Sequence, residues 1–459
     1  MRYPAYSEYK ESGVQWLGQV PGHWDAVSLK WISQRYAGGT PDKSNDAYWE
    51  DGDIPWLNSG SVNDGYITEP SAFITREGFA NSSAKWIPEN SLVMALAGQG
   101  KTKGMVAQLG IPATCNQSMA AIIPKKKFTP RFLYWWLVSN YQNIRNMAGG
   151  EQRDGLNLDM LGSIPCPLLP LSEQTAIADF LDRKTGRIDT LVAKKRRLIA
   201  LLKEKRAALI SRTVTRGLPA DVAREFGLEP HTRFKDSGIE WLGELPEGWE
   251  PTPLKFIAGI QTGYAFSSDD FTDEGIPVLR IGDITRDGCV DFTNAKYLPE
   301  TYMIAYSKVL ITRGAIVMAM TGATIGKAGK YDLDDPALLN QRVCSFYSTG
   351  DNDQSFLWYL LNADFYLEHI KLTAFGGAQP NISDTELLGC IVAVAPATEQ
   401  TAIATYLDRE TAKIDKLVEK VEVAISRLQE YRTALITAAV TGKINVSTEY
   451  TESTEGGKQ

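Results

Sequence analysis

The sequence is poor in the residues that metal sites and acid–base catalysis usually require. It contains five cysteines and three histidines in 459 residues, and no two cysteines are spaced as a CxxC pair. Structural zinc sites normally use such closely spaced ligands, so the sequence argues against a metal centre. The scattered cysteines are expected to be reduced thiols, mostly buried. Three histidines also leave few candidates for a general base.

Long apolar runs are also missing. No stretch approaches the roughly 18 consecutive apolar residues that a membrane span requires. The first residues include Arg2, Glu8 and Lys10 among tyrosines, which is unlike an apolar signal region. We therefore expect a cytoplasmic location. With 43% apolar and 22% charged residues, the composition is that of an ordinary globular protein, and the length predicts two or more domains.

The chain has no excess of basic residues. Its net charge of −7 argues against a protein that coats nucleic acid over its whole surface. The charge is uneven, however: residues 172–216 carry twelve Lys or Arg and five Asp or Glu, whereas residues 399–443 carry seven of each. Lys195 and Arg196 lie in a basic run of the first segment. A solvated helix face would explain them, and contact with DNA phosphates is the alternative hypothesis.

A long helical pattern occurs twice. The motif EQTAIA begins at Glu173 and again at Glu399. In the second copy, apolar residues recur at every seventh position from Leu407 to Leu435, and the first copy has the same row from Leu181 onward, interrupted by a lysine. A sustained heptad row requires a partner helix. Each helix is therefore predicted to pair with the other.

The duplication extends over the whole chain. The segment that begins at Tyr9 returns from Phe234. Each half mixes short β-like runs with loops and one or two helices, with buried strands predicted at 91–97 and 315–320 and helical spacing at 130–147 and 354–372. The predicted class is α+β, with two mixed α/β domains in a pseudo-twofold tandem repeat, separated by two long antiparallel coiled-coil helices.

Residues 95–102 match the loose phosphate-loop pattern that ends in Gly-Lys-Thr. A strand precedes the segment, but the residues after it do not open a helix, so no helix dipole would face a phosphate. The duplicate at 321–328 lacks the final Thr, which would hold magnesium. We predict instead a β-turn that carries Lys101, Lys103 and Lys327 toward a DNA backbone. A P-loop ATPase dimerised by its coiled coil is the alternative.

Polar side chains on equivalent loops are the candidates for base contacts, because Asn and Gln can pair with adenine and Arg with guanine. Asn116 and Gln117 match Asn340 and Gln341 in the repeat. The other explanation is that these amides cap turns or fasten loops. The candidate DNA-binding residues are Thr40, Trp56, Asn58, Ser59, Lys101, Lys103, Asn116, Gln117, Ser118, Gln152, Arg153, Asn157, Lys195, Arg196, Arg280, Asp283, Thr324, Lys327, Asn340, Gln341, Arg342, Gln379 and Asn381.

The two halves, the repeated EQxxIA helix and the repeated SGxxWLGxxPxxW opening together resemble the specificity subunit of type I restriction–modification systems, over nearly the whole chain. The resemblance implies two target recognition domains at 1–170 and 234–396, spacer helices at 171–216 and 397–442, a linker at 217–233 and a disordered tail at 443–459.

The resemblance also implies a function and partners. The chain would be non-catalytic and would recognise a bipartite, asymmetric double-stranded DNA target, one domain for each half, with the unread spacer set by helix length. Two modification subunits would supply S-adenosylmethionine chemistry on a flipped adenine. A restriction/translocase subunit would use ATP and magnesium, so no cofactor is expected in this chain. A coiled-coil scaffold that binds only proteins is a third interpretation.

Overall fold

The computed structural model describes residues 3–98, 100–148, 155–285, 287–374 and 380–446. The chain divides into two units. Unit 1 consists of the residues up to Lys195 together with those from Val423 onward, and unit 2 runs from Arg196 to Glu422. Both boundaries fall inside a long helix. Each unit therefore combines one copy of the repeated domain with part of each long helix.

Unit 1 is built mainly from short strands. They are β1 (Tyr9–Glu11), β2 (Gln19–Pro21), β3 (Asp25–Ser28), β4 (Ser33–Ala37), β5 (Ile54–Leu57), β6 (Tyr66–Ile67), β7 (Ala72–Ile74), β8 (Leu92–Ala95), β9 (Val106–Leu109), β10 (Thr114–Cys115), β11 (Met119–Pro124) and β12 (Pro165–Leu168). The helices are α1 (Leu29–Ile32), α2 (Arg76–Ala80), α3 (Pro130–Ser139), α4 (Tyr141–Asn146) and α5 (Leu158–Ser163). The first long helix, α6 (Leu171–Arg216), begins in unit 1 and ends in unit 2.

Unit 2 repeats this pattern. Its strands are β13 (Phe234–Asp236), β14 (Glu244–Pro246), β15 (Glu250–Pro253), β16 (Ala258–Thr262), β17 (Ile276–Leu279), β18 (Lys296–Leu298), β19 (Leu310–Ile311), β20 (Ile316–Ala319), β21 (Ala328–Lys330), β22 (Ala337–Leu339), β23 (Val343–Ser348) and β24 (Ile391–Val394). The helices are α7 (Ala220–Glu225), α8 (Tyr302–Ala305), α9 (Gln354–Leu361), α10 (Asp364–Thr373), α11 (Asp384–Gly389) and the second long helix, α12 (Ala397–Val440).

The sheets of the two units share a common set of strands, and each unit adds one strand of its own. In unit 1 the larger sheet has the order β4-β11-β8-β9-β6, and in unit 2 the order is β16-β23-β20-β21. A second sheet has the order β10-β5-β7 in unit 1 and β19-β22-β17-β18 in unit 2. The strands β10-β5-β7 correspond to β22-β17-β18, and the parallel pair is β5 with β10 or β17 with β22. The predicted strands at 91–97 and 315–320 are β8 and β20, and both are fully buried.

The glutamine of the repeated motif attaches each domain to its long helix. Gln174 is fully buried, and its Oε1 accepts a hydrogen bond from the Thr129 N–H at 2.9 Å. Its Nε2 donates to the carbonyl oxygens of Lys127 and Leu169 at 3.1 and 3.0 Å. In unit 2, Gln400 Oε1 accepts from the Asp353 N–H at 2.9 Å, and its Nε2 donates to Asn352 Oδ1 and to the Ala395 carbonyl oxygen at 2.9 and 2.8 Å. The loop that leads into α3 or α9 is thus fixed to the start of the long helix.

The glutamate of the motif holds a buried tryptophan. In unit 1, the Trp24 Nε1–H donates to Glu173 Oε2 at 2.9 Å. In unit 2, the Trp249 Nε1–H donates to Glu399 Oε2 at 3.0 Å. Both rings are almost completely buried, so these bonds satisfy the polar indole nitrogen within an otherwise apolar environment. The second tryptophan of each repeated opening is therefore structural.

The long helices pair in opposite directions within each unit. In unit 1, Arg432 Nε donates to Asp189 Oδ1 at 2.9 Å, and Gly442 beyond the end of α12 lies against Trp24 near the start of α6. In unit 2, Arg206 Nε donates to Asp415 Oδ1 at 3.0 Å. The two ion pairs are repeat equivalents, with the roles of the two helices exchanged. The predicted antiparallel pairing is confirmed.

The heptad row of each long helix is buried where the helix packs on its domain. Leu181, Ile188, Leu407 and Ile414 lie in the cores of their units. Other apolar residues of the two helices are exposed, namely Leu191, Leu198, Leu417 and Tyr431. None of the helices in the described ranges is long and apolar enough to cross a membrane.

Three expectations about segments need correction. The predicted linker contains α7, whose Val222 is buried in the core of unit 2. The predicted tail begins with packed residues, since the Asn445 N–H donates to the Pro4 carbonyl oxygen at 2.8 Å and Val446 is buried. The rest of the predicted tail, 447–459, lies outside the described residues. Parts of the predicted linker and of the predicted tail therefore belong to the folded units, although their polar composition indicated otherwise.

The third correction is that the two domain helices are each split in two. The helix predicted at 130–147 is interrupted at Asn140, and the one at 354–372 at Asn362. Asn140 Nδ2 donates to the Trp136 carbonyl oxygen at 3.0 Å, and Asn362 Nδ2 donates to that of Trp358 at 2.8 Å. An asparagine amide that occupies a carbonyl four residues back competes with the helix backbone, which accounts for both interruptions.

Candidate nucleic-acid interface

In unit 1, four turns meet at the ends of strands and are joined through their backbones. The Asn116 N–H donates to the Leu57 carbonyl oxygen at 2.9 Å, and the Gly39 N–H donates to that of Cys115 at 2.8 Å. The Leu96 N–H donates to the Ser118 carbonyl oxygen at 2.8 Å. The polar edge of unit 1 is the name we give to residues 38–40, 57–59, 96–98, 100–105 and 116–118.

Unit 2 forms the equivalent edge with the same backbone bonds. The Asn340 N–H donates to the Leu279 carbonyl oxygen at 3.1 Å, and the Tyr264 N–H donates to that of Leu339 at 2.9 Å. The Met320 N–H donates to the Arg342 carbonyl oxygen at 2.9 Å. Residues 263–265, 279–283, 320–327 and 340–342 are the polar edge of unit 2.

One further polar residue joins each edge. In unit 1, the Leu156 N–H donates to the Leu96 carbonyl oxygen at 2.8 Å and so brings Asn157 to the polar edge. In unit 2, Asn381 pairs with Thr321 as an isolated β-bridge. The structure thus brings the predicted amide loops of each half together with the predicted lysine turn. Gln152, Arg153 and Gln379 lie outside the described residues.

Most candidates on the two edges present their side chains at the surface. Gln117, Lys101, Gln341, Arg342 and Thr324 are exposed. The remaining candidates that are exposed or half-buried are Thr40, Asn58, Ser59, Asn116, Ser118, Asn157, Arg280, Lys327, Asn340 and Asn381. Their participation in DNA binding stays a prediction.

Three candidates are buried and cannot offer their side chains to DNA in this structure. Trp56, Lys103 and Asp283 are each only 5% exposed. Trp56 Nε1 donates to the Gly39 carbonyl oxygen at 3.0 Å. Asp283 accepts from the backbone N–H of Arg280 at 2.8 Å and also pairs with its guanidinium group. The bonds of Trp56 and Asp283 hold the turns of the edges in place.

Several of the surface amides also cap turns, which was the alternative explanation for them. Asn116 Oδ1 accepts from the Ser118 N–H at 3.1 Å, and Asn58 Oδ1 accepts from the Gly60 N–H at 2.8 Å. Asn157 Oδ1 accepts from the Met160 N–H at 2.8 Å and caps α5. Capping uses the side-chain oxygen and leaves the two Nδ2 hydrogens as donors. A role in capping and a contact with an acceptor on a base are therefore compatible.

The side chains at equivalent positions differ between the two edges. In unit 1, the Thr40 hydroxyl group donates to Gln117 Oε1. In unit 2, Arg280 stands where unit 1 has Asn58, and its Nη2 donates to the Asn294 carbonyl oxygen at 2.6 Å. One backbone arrangement thus carries two sets of hydrogen-bonding groups, so the two edges offer different chemistry to a ligand.

The lysine turns lack the geometry of a phosphate loop. The turn after β8 leads into strand β9, and its duplicate after β20 leads into strand β21. No helix N-terminus follows either turn in the part of the chain that the structure describes. In unit 2, Lys327 Nζ donates to the Ile281 carbonyl oxygen at 3.1 Å. The geometry therefore gives no support to the P-loop ATPase alternative.

The basic run on α6 coincides with the boundary between the units, which falls between Lys195 and Arg196. The Arg196 side chain is exposed and that of Lys195 is half-buried. These positions are compatible with a solvated helix face, and phosphate contact stays a prediction.

Sequence reasoning missed Tyr264, an exposed ring on the polar edge of unit 2. The glycine that precedes Tyr264 in the sequence is the signal that could have identified this position. A Cβ on Gly263 would collide with the Asn340 carbonyl oxygen, and a Cβ on Gly38 would collide with that of Asn116. These two glycines occupy the same place in the repeat and allow the turns to approach closely.

The chain contains two copies of one sheet architecture, and both are attached to the same pair of long helices. The copies present different polar groups. This arrangement is typical of a recognition protein and not of an enzyme. The family model of the type I restriction modification DNA specificity domain matches the chain twice, at residues 21–199 and 246–426. The chain belongs to this family. Its identification as a type I specificity subunit, a non-catalytic component, is confirmed.

Known proteins agree in sequence and fold. The chain is 26% identical over 450 residues to the type I restriction enzyme MjaVIII specificity subunit of Methanocaldococcus jannaschii, covering 95% of this chain and 97% of that protein. It is 30% identical over 186 residues to the EcoR124I/EcoR124II specificity subunit of Escherichia coli, covering 40% and 45%. A solved chain of a type I restriction–modification system shares the fold with a TM-score of 0.69 at 18% identity, covering 93% of this chain and 99% of that one.

Proposed function

We propose that the chain recognises a bipartite, asymmetric DNA target, with the polar edge of unit 1 on one half-site and that of unit 2 on the other. One observation carries the proposal. The backbone bonds that build the two edges are equivalent, whereas the groups they present, such as Asn58 and Arg280, differ. Phosphate contacts position a protein on DNA, and base contacts specify the sequence. Two domains with the same backbone and different side chains on their polar edges are therefore suited to two half-sites of different sequence.

The proposal extends to partner subunits. Two adenine-N6 methyltransferase subunits and a restriction/translocase subunit dock on the chain, and S-adenosylmethionine, ATP and magnesium belong to those partners. The names of the relatives, which are specificity subunits of restriction enzymes, support this assignment. A cytoplasmic location is part of the same proposal, because DNA and these partners are found there.

The test is to express the chain with its methyltransferase and to map N6-methyladenine over a genome. We expect a split motif with an unread spacer. Gln117→Ala should relax one position of the first half-site only, and Gln341→Ala, its repeat equivalent, one position of the second only. Both residues are exposed, so each is the matched control for the other. Changes in both half-sites from either substitution would contradict separate readers.

The lysine turn supplies a different expected result. Lys101→Ala should weaken binding to all sequences alike and lower the salt dependence of the affinity, because phosphate contacts release counterions without reading bases. The affinity measured at several salt concentrations separates this effect from lost specificity. A change of the methylated motif in the Lys101 variant would oppose the assignment.

Spacer length provides a test of the helices. Both long helices belong to both units, and we propose that their length sets the number of unread base pairs. Removal of one heptad from each helix at matched positions should shorten the spacer in the mapped motif. An unchanged spacer would refute this part of the proposal while leaving the two readers intact.

A further inference from the structure

A group of four aromatic side chains adjoins the polar edge of unit 2. Tyr264, Phe266, Tyr302 and Tyr306 form contacts with ring centroids 4.8 to 6.2 Å apart. Phe266, Tyr302 and Tyr306 are partly buried against the core around β17 and β22. Tyr264 is 47% exposed. The other three rings therefore support the Tyr264 ring on one side, and part of that ring remains available to a ligand.

The backbone fixes Tyr264 beside the predicted base-reading residues. Its N–H donates to the Leu339 carbonyl oxygen at 2.9 Å, and its own carbonyl oxygen accepts from the Gln341 N–H at 2.9 Å. The Tyr264 ring contacts the Tyr306 ring, and the two centroids lie 4.8 Å apart. Because Tyr264 remains about half exposed, part of its apolar ring is accessible to a ligand.

Unit 1 has no space for a side chain at the equivalent position. Gly39 stands there, and a Cβ on it would collide with the backbone of Ser83 and Ala84. Its carbonyl oxygen is also bonded to the Trp56 indole. The aromatic ring is therefore a property of one reader alone, as expected of a residue that determines the sequence of one half-site.

We propose that the Tyr264 ring makes an apolar contact with the 5-methyl group of a thymine in the half-site read by unit 2. The inference rests on the proposed function, in which unit 2 reads one half of a DNA target. The thymine methyl group is the apolar feature of base edges in the major groove, and aromatic rings are among the side chains that contact it. Gln341 and Arg342, exposed on the adjoining turn, supply the polar contacts to neighbouring bases.

The experiment uses the chain in complex with its methyltransferase and a duplex that carries the mapped motif. Each thymine of the second half-site is replaced in turn by deoxyuridine, which lacks only the 5-methyl group. With the unsubstituted protein, we expect deoxyuridine at one of these positions to lower the affinity about fourfold, which is the effect of one buried methyl-sized group. Tyr264→Ala should abolish this sensitivity, whereas Tyr264→Phe should keep it because the ring remains.

Tyr347 is the matched control. It lies on β23 of the same unit and is 48% exposed, and its ring covers Gly259 instead of the polar edge. Tyr347→Ala should retain the sensitivity to deoxyuridine.

Three results would overturn the inference: an unsubstituted complex that tolerates every deoxyuridine, Tyr264→Ala with unchanged sensitivity, or Tyr264→Phe with none. The Phe variant keeps the test decisive even if the Ala variant folds poorly. A complex that binds all DNA sequences equally would refute the proposed function itself, which distinguishes the two failures.

Discussion

Gln174→Leu should strongly destabilise unit 1, although leucine has nearly the same size and the position is fully buried. The glutamine amide makes three hydrogen bonds, to the Thr129 N–H and to the carbonyl oxygens of Lys127 and Leu169. All three partners are backbone groups at the junction between α3 and α6. Leucine would leave them facing an apolar side chain, so the substitution tests whether this amide is what joins the domain to its helix.

The magnitude follows from the groups left without partners. A buried donor or acceptor that loses its hydrogen bond costs about 1–3 kcal/mol, and relaxation or entry of water reduces the sum for neighbouring groups. Burial of the leucine side chain returns part of this amount. We therefore expect a net loss of about 3 kcal/mol in the free energy of unfolding. For a unit of this size, each kcal/mol lowers the melting temperature by roughly 2–4 °C, so the expected decrease is about 6–12 °C.

Differential scanning calorimetry of the full chain is the appropriate assay, because the two units can unfold in separate transitions. Only the transition of unit 1 should move for Gln174→Leu. Gln400→Leu, the repeat equivalent, should move only that of unit 2. Gln429→Leu is the control, since this glutamine lies exposed on α12. A Gln174→Leu shift no larger than that of the control would refute the reasoning.

The other expected outcomes concern surface and thiol groups. Arg432→Ala should cost at most about 1 kcal/mol in unit 1, the usual value of an exposed ion pair, and the charge swap Asp189→Arg with Arg432→Asp should recover most of it in denaturant unfolding. A maleimide reagent should modify one thiol of the folded chain, Cys289, because the other four cysteines are buried, and burial raises the pKa of Cys115 to about 12; rapid labelling of several thiols would contradict the packing. Asn157→Ala should destabilise α5 by about 1 kcal/mol through loss of its N-cap, with hydrogen exchange in 158–163 as the measurement.

Periodicity predicted the features that depend on many residues at once. The heptad rows located both long helices, since a pattern that recurs over several turns leaves few other structures. The duplicated motifs predicted that two domains share one fold, and the strand orders of their sheets match except for one additional strand in each unit. These features survive single exceptions such as Lys195, which interrupts the row without ending α6.

The exposure of single residues was harder to predict. Trp56 was a candidate for DNA contact, yet it is two positions from the buried Ile54, and alternation along a strand places both on the same face. Asp283 is buried by its bonds to Arg280, an interaction that a list of polar residues does not show. Tyr264 was missed because its importance lies in contact with the turn at Gln341, which is distant in the sequence.

The two units show how a reader can change its sequence preference without changing its fold. Each polar edge is assembled by bonds between backbone groups, such as Asn116 N–H to Leu57 O and Asn340 N–H to Leu279 O. These bonds join backbone groups and do not involve exposed side chains such as Gln117 and Gln341, so substitutions of those side chains change the chemistry of the edge and leave the bonds in place. Where each domain joins its long helix, the two copies place the same type of side chain in the same contact from different positions in the sequence. His23 and His231 are not repeat equivalents, and both contact the glutamate that opens a long helix, at 3.0 and 2.7 Å. The two copies therefore keep the same attachment geometry with side chains from different positions, while their polar edges present different groups.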